Sequence, residues 1–333
     1  MKVLVIGATG YIGSALARAF GEDGHAVTGL ARTAAAAARL ASAGLASAPG
    51  DFRDPPSLAR AVNAVDPDVV VVVASAGGGL GDAAAFSADR NAVKALAAAM
   101  EGRGKTLVFT SGSAVFGVFA AGERADPAFP EDTALPLPRQ VFAPASAGVG
   151  ERFVEEHAVA IGARVEAERA VLEATGVRGV VIRPGNVWGY GGSVDIPKAI
   201  ALARSNGVAP HWGAGGATQG YAHLDDVVDL YRLAIARGRP RGVYHAVSEE
   251  ASQRDVGLAI GRMLGLGPRT ESVSLDRMAA LGGVRGVRLS MNKRLSAERT
   301  RAELGWTPTR LGVLADVESG SYAGRQFLAV PKA

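Results

Sequence analysis

The chain has 333 residues, 48% of them hydrophobic, no cysteine, and a formal net charge of +4 from 36 basic and 32 acidic residues. That length and apolar content suit one large α/β unit or a nucleotide-binding domain with a smaller partner, and the missing cysteines exclude disulfides, thiol nucleophiles and cysteine-ligated metals. The basic residues are spread out rather than gathered in a stripe, which argues against nucleic acid, and a pI of about 9.5 is only a weak pointer to an anionic ligand.

No apolar run approaches the ~20 residues that a membrane span needs, so no membrane partner is expected. Met1-Lys2 leads straight into an apolar strand with no charged n-region or h-region before it, and the expected location is the cytoplasm. The histidines at 25, 157, 211, 223 and 245 lack the tight spacing of a zinc site, and no metal is expected.

Taken in order, Val3 to Ile6 form an apolar strand that runs into Gly7, Gly10 and Gly13, with a helical composition from Ser14 onward. In such a turn the first glycine permits the bend, the second lets a pyrophosphate approach the backbone, and the third lets helix and strand pack closely. The N–H groups at the helix start then face the anion. Gly7, Thr9, Gly10, Tyr11, Ile12 and Gly13 are therefore candidate dinucleotide contacts.

Beyond this turn, strands at 25–30, 46–48, 68–74, 106–111 and 179–183 alternate with helices at 33–43, from 57, 86–100 and 151–174. The run Asp68 to Ala74 is the continuous β-branched pattern of a parallel strand covered on both faces. It ends in Ser75-Ala-Gly-Gly-Gly79, a glycine-rich loop at a strand's carboxyl end, so Ala74, Ser75 and Ala76 are expected along the cofactor. Residues 119–150 dissolve into proline, glycine, alanine and charge, which suggests a lid or a substrate-facing insertion. Helices are expected at 194–204, 223–237, 253–264 and 296–304, with a strand at 243–247 able to rejoin the sheet. The arginine- and lysine-dense stretch 285–301, interleaved with Glu298, reads as a solvated face.

The motifs GATGYIG (7–13), GDFRD (50–54), TSGSAVFG (110–117), RPGNVWG (183–189), HLDD (223–226) and ELGWTP (303–308) occur in the order and spacing of one family. On them the chain resembles the short-chain dehydrogenase/reductase superfamily, in its extended and atypical branch of epimerase- and dehydratase-like proteins. The resemblance implies a doubly wound parallel sheet of Rossmann type with a small mixed α/β substrate domain. The expected division is a dinucleotide-binding domain at 1–183, rejoined by about 222–248, with 184–221 and 249–333 forming the substrate part. It also implies adenine contacts from Asp51 and Phe52, cofactor contacts from Ser111, Pro184, Asn186 and Val187, and a homodimer formed through helices 86–100 and 151–174.

Cofactor choice rests on the end of the second strand, where NAD binders place an acid on the ribose 2′-hydroxyl. Here the strand ends Leu30-Ala31-Arg32, and Arg32 suits a 2′-phosphate, so NADP is expected, with NAD possible. The catalytic pattern departs from the family. The helix that should carry YxxxK is registered by Arg164 and Glu168, which puts Ala160 in the tyrosine position. Arg164 can still bind ribose hydroxyls but cannot deprotonate. The family's hydroxyl slot falls on Gly112, flanked by Ser111 and Ser113, of which Ser113 is preferred. His157, on the face shared by 160 and 164, is the candidate proton donor. Tyr190, His211 and Tyr221 fall in what read as pocket loops of the second half.

The expected function is an NADP(H)-dependent oxidoreductase acting on a small organic substrate. The alternatives are a cofactor-bound epimerase, isomerase or dehydratase, and a non-catalytic dinucleotide-binding regulator.

Overall fold

Strand β1 (Lys2–Ile6) sends Val3 and Val5 to one side and Leu4 and Ile6 to the other, and all four are buried. A strand buried on both faces belongs inside a parallel sheet covered by helices. That is where the computed structural model places it; the structure describes residues 1–76, 83–126 and 128–325. From there the chain runs through α1 (Tyr11–Glu22), β2 (Ala26–Ala31), α2 (Ala34–Ser42), β3 (Ala46–Pro49), α3 (Pro55–Val65) and β4 (Val69–Val72). It continues with α4 (Ala83–Met100), β5 (Thr106–Thr110), a short α5 (Arg139–Phe142), α6 (Glu151–Leu172) and β6 (Arg178–Pro184).

The second half holds β7 (Asn186–Trp188), α7 (Ile196–Asn206), β8 (Ala209–Trp212), β9 (Thr218–His223), α8 (Leu224–Arg237) and β10 (Gly242–Ala246). After it come β11 (Glu249–Ser252), α9 (Gln253–Met263), β12 (Thr270–Val273), α10 (Leu275–Leu289), α11 (Glu298–Leu304) and α12 (Val313–Ser319).

The main sheet has seven parallel strands in the order β10-β6-β5-β4-β1-β2-β3. The alternation of β1 extends across it. Val3, Val5, Val69, Val71, Val108 and Ile182 pack against α1 and α8, through Leu16, Phe20, Val227 and Tyr231. Leu4, Ile6, Val70, Val72, Leu107 and Phe109 pack on the other face against Leu58, Val62, Val93, Leu96 and Val171 of α3, α4 and α6. This is the expected doubly wound α/β sheet, with β10 adding the seventh strand. Because the strand order reverses between β1 and β4, the crevice for a ligand lies at the carboxyl ends of those two strands.

The other strands form two small sheets, β11-β9-β7 and β12-β8, around a core of Trp188, Ile196, Ile200, Tyr221, Ile260 and Val317. Short strands between glycine turns carry little periodicity, so His211 and Tyr221, expected in loops, stand instead on β8 and β9. A second correction concerns 285–301. Arg288, Lys293 and Arg294 are 1%, 3% and 9% exposed, because α10 and the segment after it are packed against β9 and the 118–129 loop rather than laid on the surface.

Candidate functional site

The glycine turn after β1 is built as the sequence predicts. Gly7 has φ +99°, and a Cβ on it would lie 2.9 Å from the Ala74 nitrogen at the end of β4; one on Gly13 would lie 2.0 Å from the Gly7 carbonyl. Neither position accepts a side chain. The first helical bond runs from the Ser14 N–H to the Gly10 carbonyl (2.9 Å), which leaves the N–H groups of Tyr11, Ile12 and Gly13 as first-turn donors beside the exposed Thr9. With a bare glycine at the cap and no acid in the first turn, this end fits a pyrophosphate. The Tyr11 ring turns away from the donors. It packs on Gly192 and donates to the Gly189 carbonyl (2.8 Å), and burial raises its pKa.

At the neighbouring strand ends, Arg32 is exposed directly after β2, and among the described residues no carboxylate pairs with it. Asp51 accepts the Arg53 N–H (2.9 Å), and Arg53 reaches across to the Ala76 carbonyl (2.5 Å), joining the loops after β3 and β4. The Phe52 ring is buried in the core with Leu4, Ile6 and Leu58. Of the loop after β4, Ala74 to Ala76 are described, whereas Gly77 to Gly79 lie outside the described residues.

That loop is tied down by a residue the sequence reading missed. Asp89 on α4 is fully buried; it accepts from Ser75 Oγ (2.8 Å) and the Ala76 N–H (2.6 Å). Arg164 on α6 donates Nη1 to the same carboxylate (3.0 Å) and Nη2 to the Thr110 and Ser111 carbonyls (2.8 and 3.0 Å). The rings of Phe86 and Phe109 lie 5.5 and 4.8 Å from its guanidinium carbon. The signal for Asp89 was available: it lies on the apolar face Phe86, Val93, Leu96, Met100, where an acid needs a buried partner.

His157, Ala160 and Arg164 do share one buried face of α6, as their spacing predicts. Ala160 is sealed with Phe86 and Ala163. Phe86 thus packs directly over Ala160. His157 lies two turns into the helix, edge-on to Phe119, with no hydrogen bond to its Nδ1 among the described residues. Burial, with Arg288 beside it, pushes its pKa down to about 3. An imidazole neutral at physiological pH does not fit the role of proton donor. Ser111 Oγ is buried with no hydrogen-bond partner among the described residues, Ser113 is buried in a 3-10 turn (Ser113–Phe116), and Gly112 between them faces open space.

Opposite these groups, Pro184 ends β6, and Gly185 passes so close to Gly220 that a Cβ would lie 2.4 Å from its carbonyl. Asn186 and Val187 follow on β7; Asn186 Nδ2 donates to Gln219 Oε1, and Tyr221, its pKa raised by burial, lies beside Asn186. Gln219 in turn donates to the Leu289 and Met291 carbonyls (2.8 and 3.4 Å). Of the three expected substrate residues, Tyr221 is buried in the core of the small sheets. Tyr190 is 52% exposed on the rim, donating to Asp225 Oδ2 (2.7 Å), and His211 faces Gly215 and Arg254 in the small sheet. The described residues contain no cluster of acids and histidines able to hold a metal ion, and no helix long and apolar enough to cross a membrane.

Residues 3–246 match the NAD dependent epimerase/dehydratase family. The chain belongs to that family. It is accordingly an enzyme with a nicotinamide dinucleotide as cofactor, and the glycine cradle fits that group. The chain is 27% identical over 323 residues to an uncharacterized protein of Saccharomyces cerevisiae (96% of this chain, 98% of the other). It is 28% identical over 317 residues to a 3-diazoavenalumate denitrifying reductase of a Streptomyces species (93% and 96%). Among solved structures it shares the fold of a Thermus thermophilus UDP-glucose 4-epimerase in complex with NAD (22% identity, TM-score 0.69, 96% and 98% covered). A dTDP-glucose 4,6-dehydratase of Bacillus anthracis in complex with NAD is similar as well (17%, TM-score 0.69, 97% and 94%).

Proposed function

We propose that this protein is an NADP(H)-dependent reductase of a small organic acceptor. The observation that carries the reading is the closed tyrosine position. An enzyme that begins by oxidising an alcohol needs a base to take the hydroxyl proton. Here position 160 is an alanine under Phe86, and Arg164, which cannot deprotonate, already spends three of its five donors on Asp89 and two carbonyls. Hydride delivery to an electron-poor acceptor places no such demand on a side chain, because the proton can arrive from water. The cofactor supplies the hydride when bound. When bound, its pyrophosphate would be held by the Gly7–Gly13 turn, its adenine by Asp51, and its remaining half by Ala74–Ala76, Ser111 and Asn186. Ser111 and Ser113 flank the open space at Gly112, from which a proton-delivering water would reach the acceptor. The 28% identity to a reductase over 93% of this chain supports the same choice.

NADP(H) is preferred to NAD(H) in this reading because exposed Arg32 is available for a bidentate bond to the 2′-phosphate, about 1.5–3 kcal/mol for a charged hydrogen bond. The test is titration of NADPH and NADH into wild type and Arg32→Ala, followed by turnover on a panel of electron-poor carbonyl, enone and diazonium-type acceptors. Net NADPH consumption and a preference of about 10-fold or more that Arg32→Ala removes are the expected results. Equal affinities would overturn the cofactor assignment. Product formed without net consumption would overturn the reductase in favour of an epimerase.

The same reading gives a homodimer across α4 and α6, which pack side by side and present Ala98 and the 59% exposed Val159. Light scattering at micromolar concentration should return twice the 33.9 kDa chain mass; a monomer mass excludes it.

A further inference from the structure

The segment Asn292-Lys293-Arg294 is an extended stretch strapped to β9. The Lys293 N–H donates to the Thr218 carbonyl (2.9 Å), its own carbonyl accepts from the Gly220 N–H (3.0 Å), and it bridges to Gln219. Side chains alternate along such a stretch. Asn292 turns to the 123–125 loop, accepting the Ala125 N–H (3.1 Å) and donating to the Glu123 carbonyl (2.8 Å). Arg294 turns to Glu250, Asp126 and the Ala125 carbonyl. Lys293 points the other way, into the interior, where it is 3% exposed.

There its ammonium meets no acceptor within hydrogen-bond or ion-pair distance among the described residues. Lys293 feels Asp195, at the start of α7, and Arg288, at the end of α10. Asp195 stands too far away to pair, and among the described residues its buried Oδ1 likewise has no hydrogen-bond partner. Both ends of that gap are pinned: Lys293 by β9, and Asp195 by its N–H bond to Ser193 Oγ (3.4 Å) and its place at the head of α7. The region also adjoins the site already described. Gln219 links it to Asn186, and the Arg288 guanidinium lies 5.1 Å from the Phe86 ring that covers Ala160. Burying an unpaired cation costs several kcal/mol unless the lysine neutralises or an anion completes the site. Burial and Arg288 do lower the Lys293 pKa, as expected before an anion is present.

We propose that Lys293 is the anchor for an oxyanion, carboxylate or phosphate, carried by the substrate. The enzyme thereby selects small acids over their neutral analogues. This deepens the proposed substrate class but does not depend on hydride transfer, so it is tested by binding alone.

The NADPH-loaded protein is titrated with acetate, benzoate, inorganic phosphate and phenyl phosphate, and with neutral benzamide, in wild type, Lys293→Met and Lys293→Arg. Thermal shift and calorimetry serve as readouts. At least one anion should bind wild type about 10-fold or more tighter than Lys293→Met, with part of the affinity kept by Lys293→Arg and no such dependence for benzamide. A preference for benzoate or acetate assigns a carboxylate, and one for the phosphates assigns a phosphoryl group. If Lys293→Met does not fold, benzoate against benzamide in wild type decides the matter. The proposal is overturned if no anion binds wild type, if benzamide binds as tightly as the anions, or if Lys293→Met binds anions undiminished. Loss of reductase activity with anion binding intact would sink the proposed reaction and leave this site standing.

Discussion

Two cations of this chain, Arg164 and Lys293, are buried, and they are built differently. Arg164 spends its guanidinium on a buried carboxylate and two carbonyls, and through Asp89 it holds the loop after β4 in place. Lys293 is as deeply buried but meets no acceptor among the described residues. A paired buried cation is part of the frame, whereas one without an acceptor is where a ligand can supply the missing charge. On the proposed reading the labour is divided: α4 and α6 fix the cofactor side, and the segment after α10 reads the substrate.

The hardest blow to that contrast falls on the frame. Arg164→Met leaves Asp89 buried and unpaired, at a cost of about 3–5 kcal/mol, a large part of a typical domain's 5–15 kcal/mol. The urea midpoint should drop accordingly, and Asp89→Asn in the same chain should restore part of it. A midpoint near wild type for Arg164→Met would mean that Ser75 and Ala76 alone hold the acid. Lys293→Met should do the reverse. With no ion pair to break, removing the charge leaves stability within about 1 kcal/mol of wild type or raises it, while anion affinity falls. If it destabilises as much as Arg164→Met, Lys293 is frame and the contrast fails.

The frame was the legible part. Gly7, Gly10 and Gly13 follow an apolar run and precede a helix, β4 is four valines, and both signals are local, so cradle and sheet follow from them. That His157, Ala160 and Arg164 share a face was also readable, since helical spacing sets which residues do. Asp89 and Lys293 were not read, although each breaks an apolar pattern: Asp89 on the Phe86–Met100 face, and Lys293 between buried Met291 and Leu295. In a stretch dense in arginine, charge was taken for exposure. What buries Lys293 is β9, some seventy residues earlier, and no local window contains that contact. His211 and Tyr221 were misplaced for the related reason that four- and six-residue strands leave no periodicity to read.

The smallest expected effect concerns His157, which tests whether any proton donor survives on the cofactor side. Its pKa is pushed down to about 3 by burial and by Arg288, and that of His245 to about 3 by burial and by Arg183. The unfolded chain titrates its histidines near 6.5. Between about pH 6.5 and 3 it therefore binds more protons than the folded chain, and stability falls as pH falls through that window, by up to about 1.4 kcal/mol per pH unit for each histidine. His157→Leu keeps a similar volume and removes one of the two protons, so the slope of stability against pH below 6.5 should flatten while that of His245→Leu flattens separately. Turnover should barely respond. A general acid lost usually lowers kcat by about 10²–10⁴-fold, whereas a neutral packing histidine should change it by no more than about 2-fold at pH 7. A large drop in kcat with NADPH affinity intact would restore His157 as the proton source and require its surroundings to change when cofactor and substrate bind. An unchanged kcat, with an acid limb that does not follow His157, leaves delivery to water at Ser111 and Ser113.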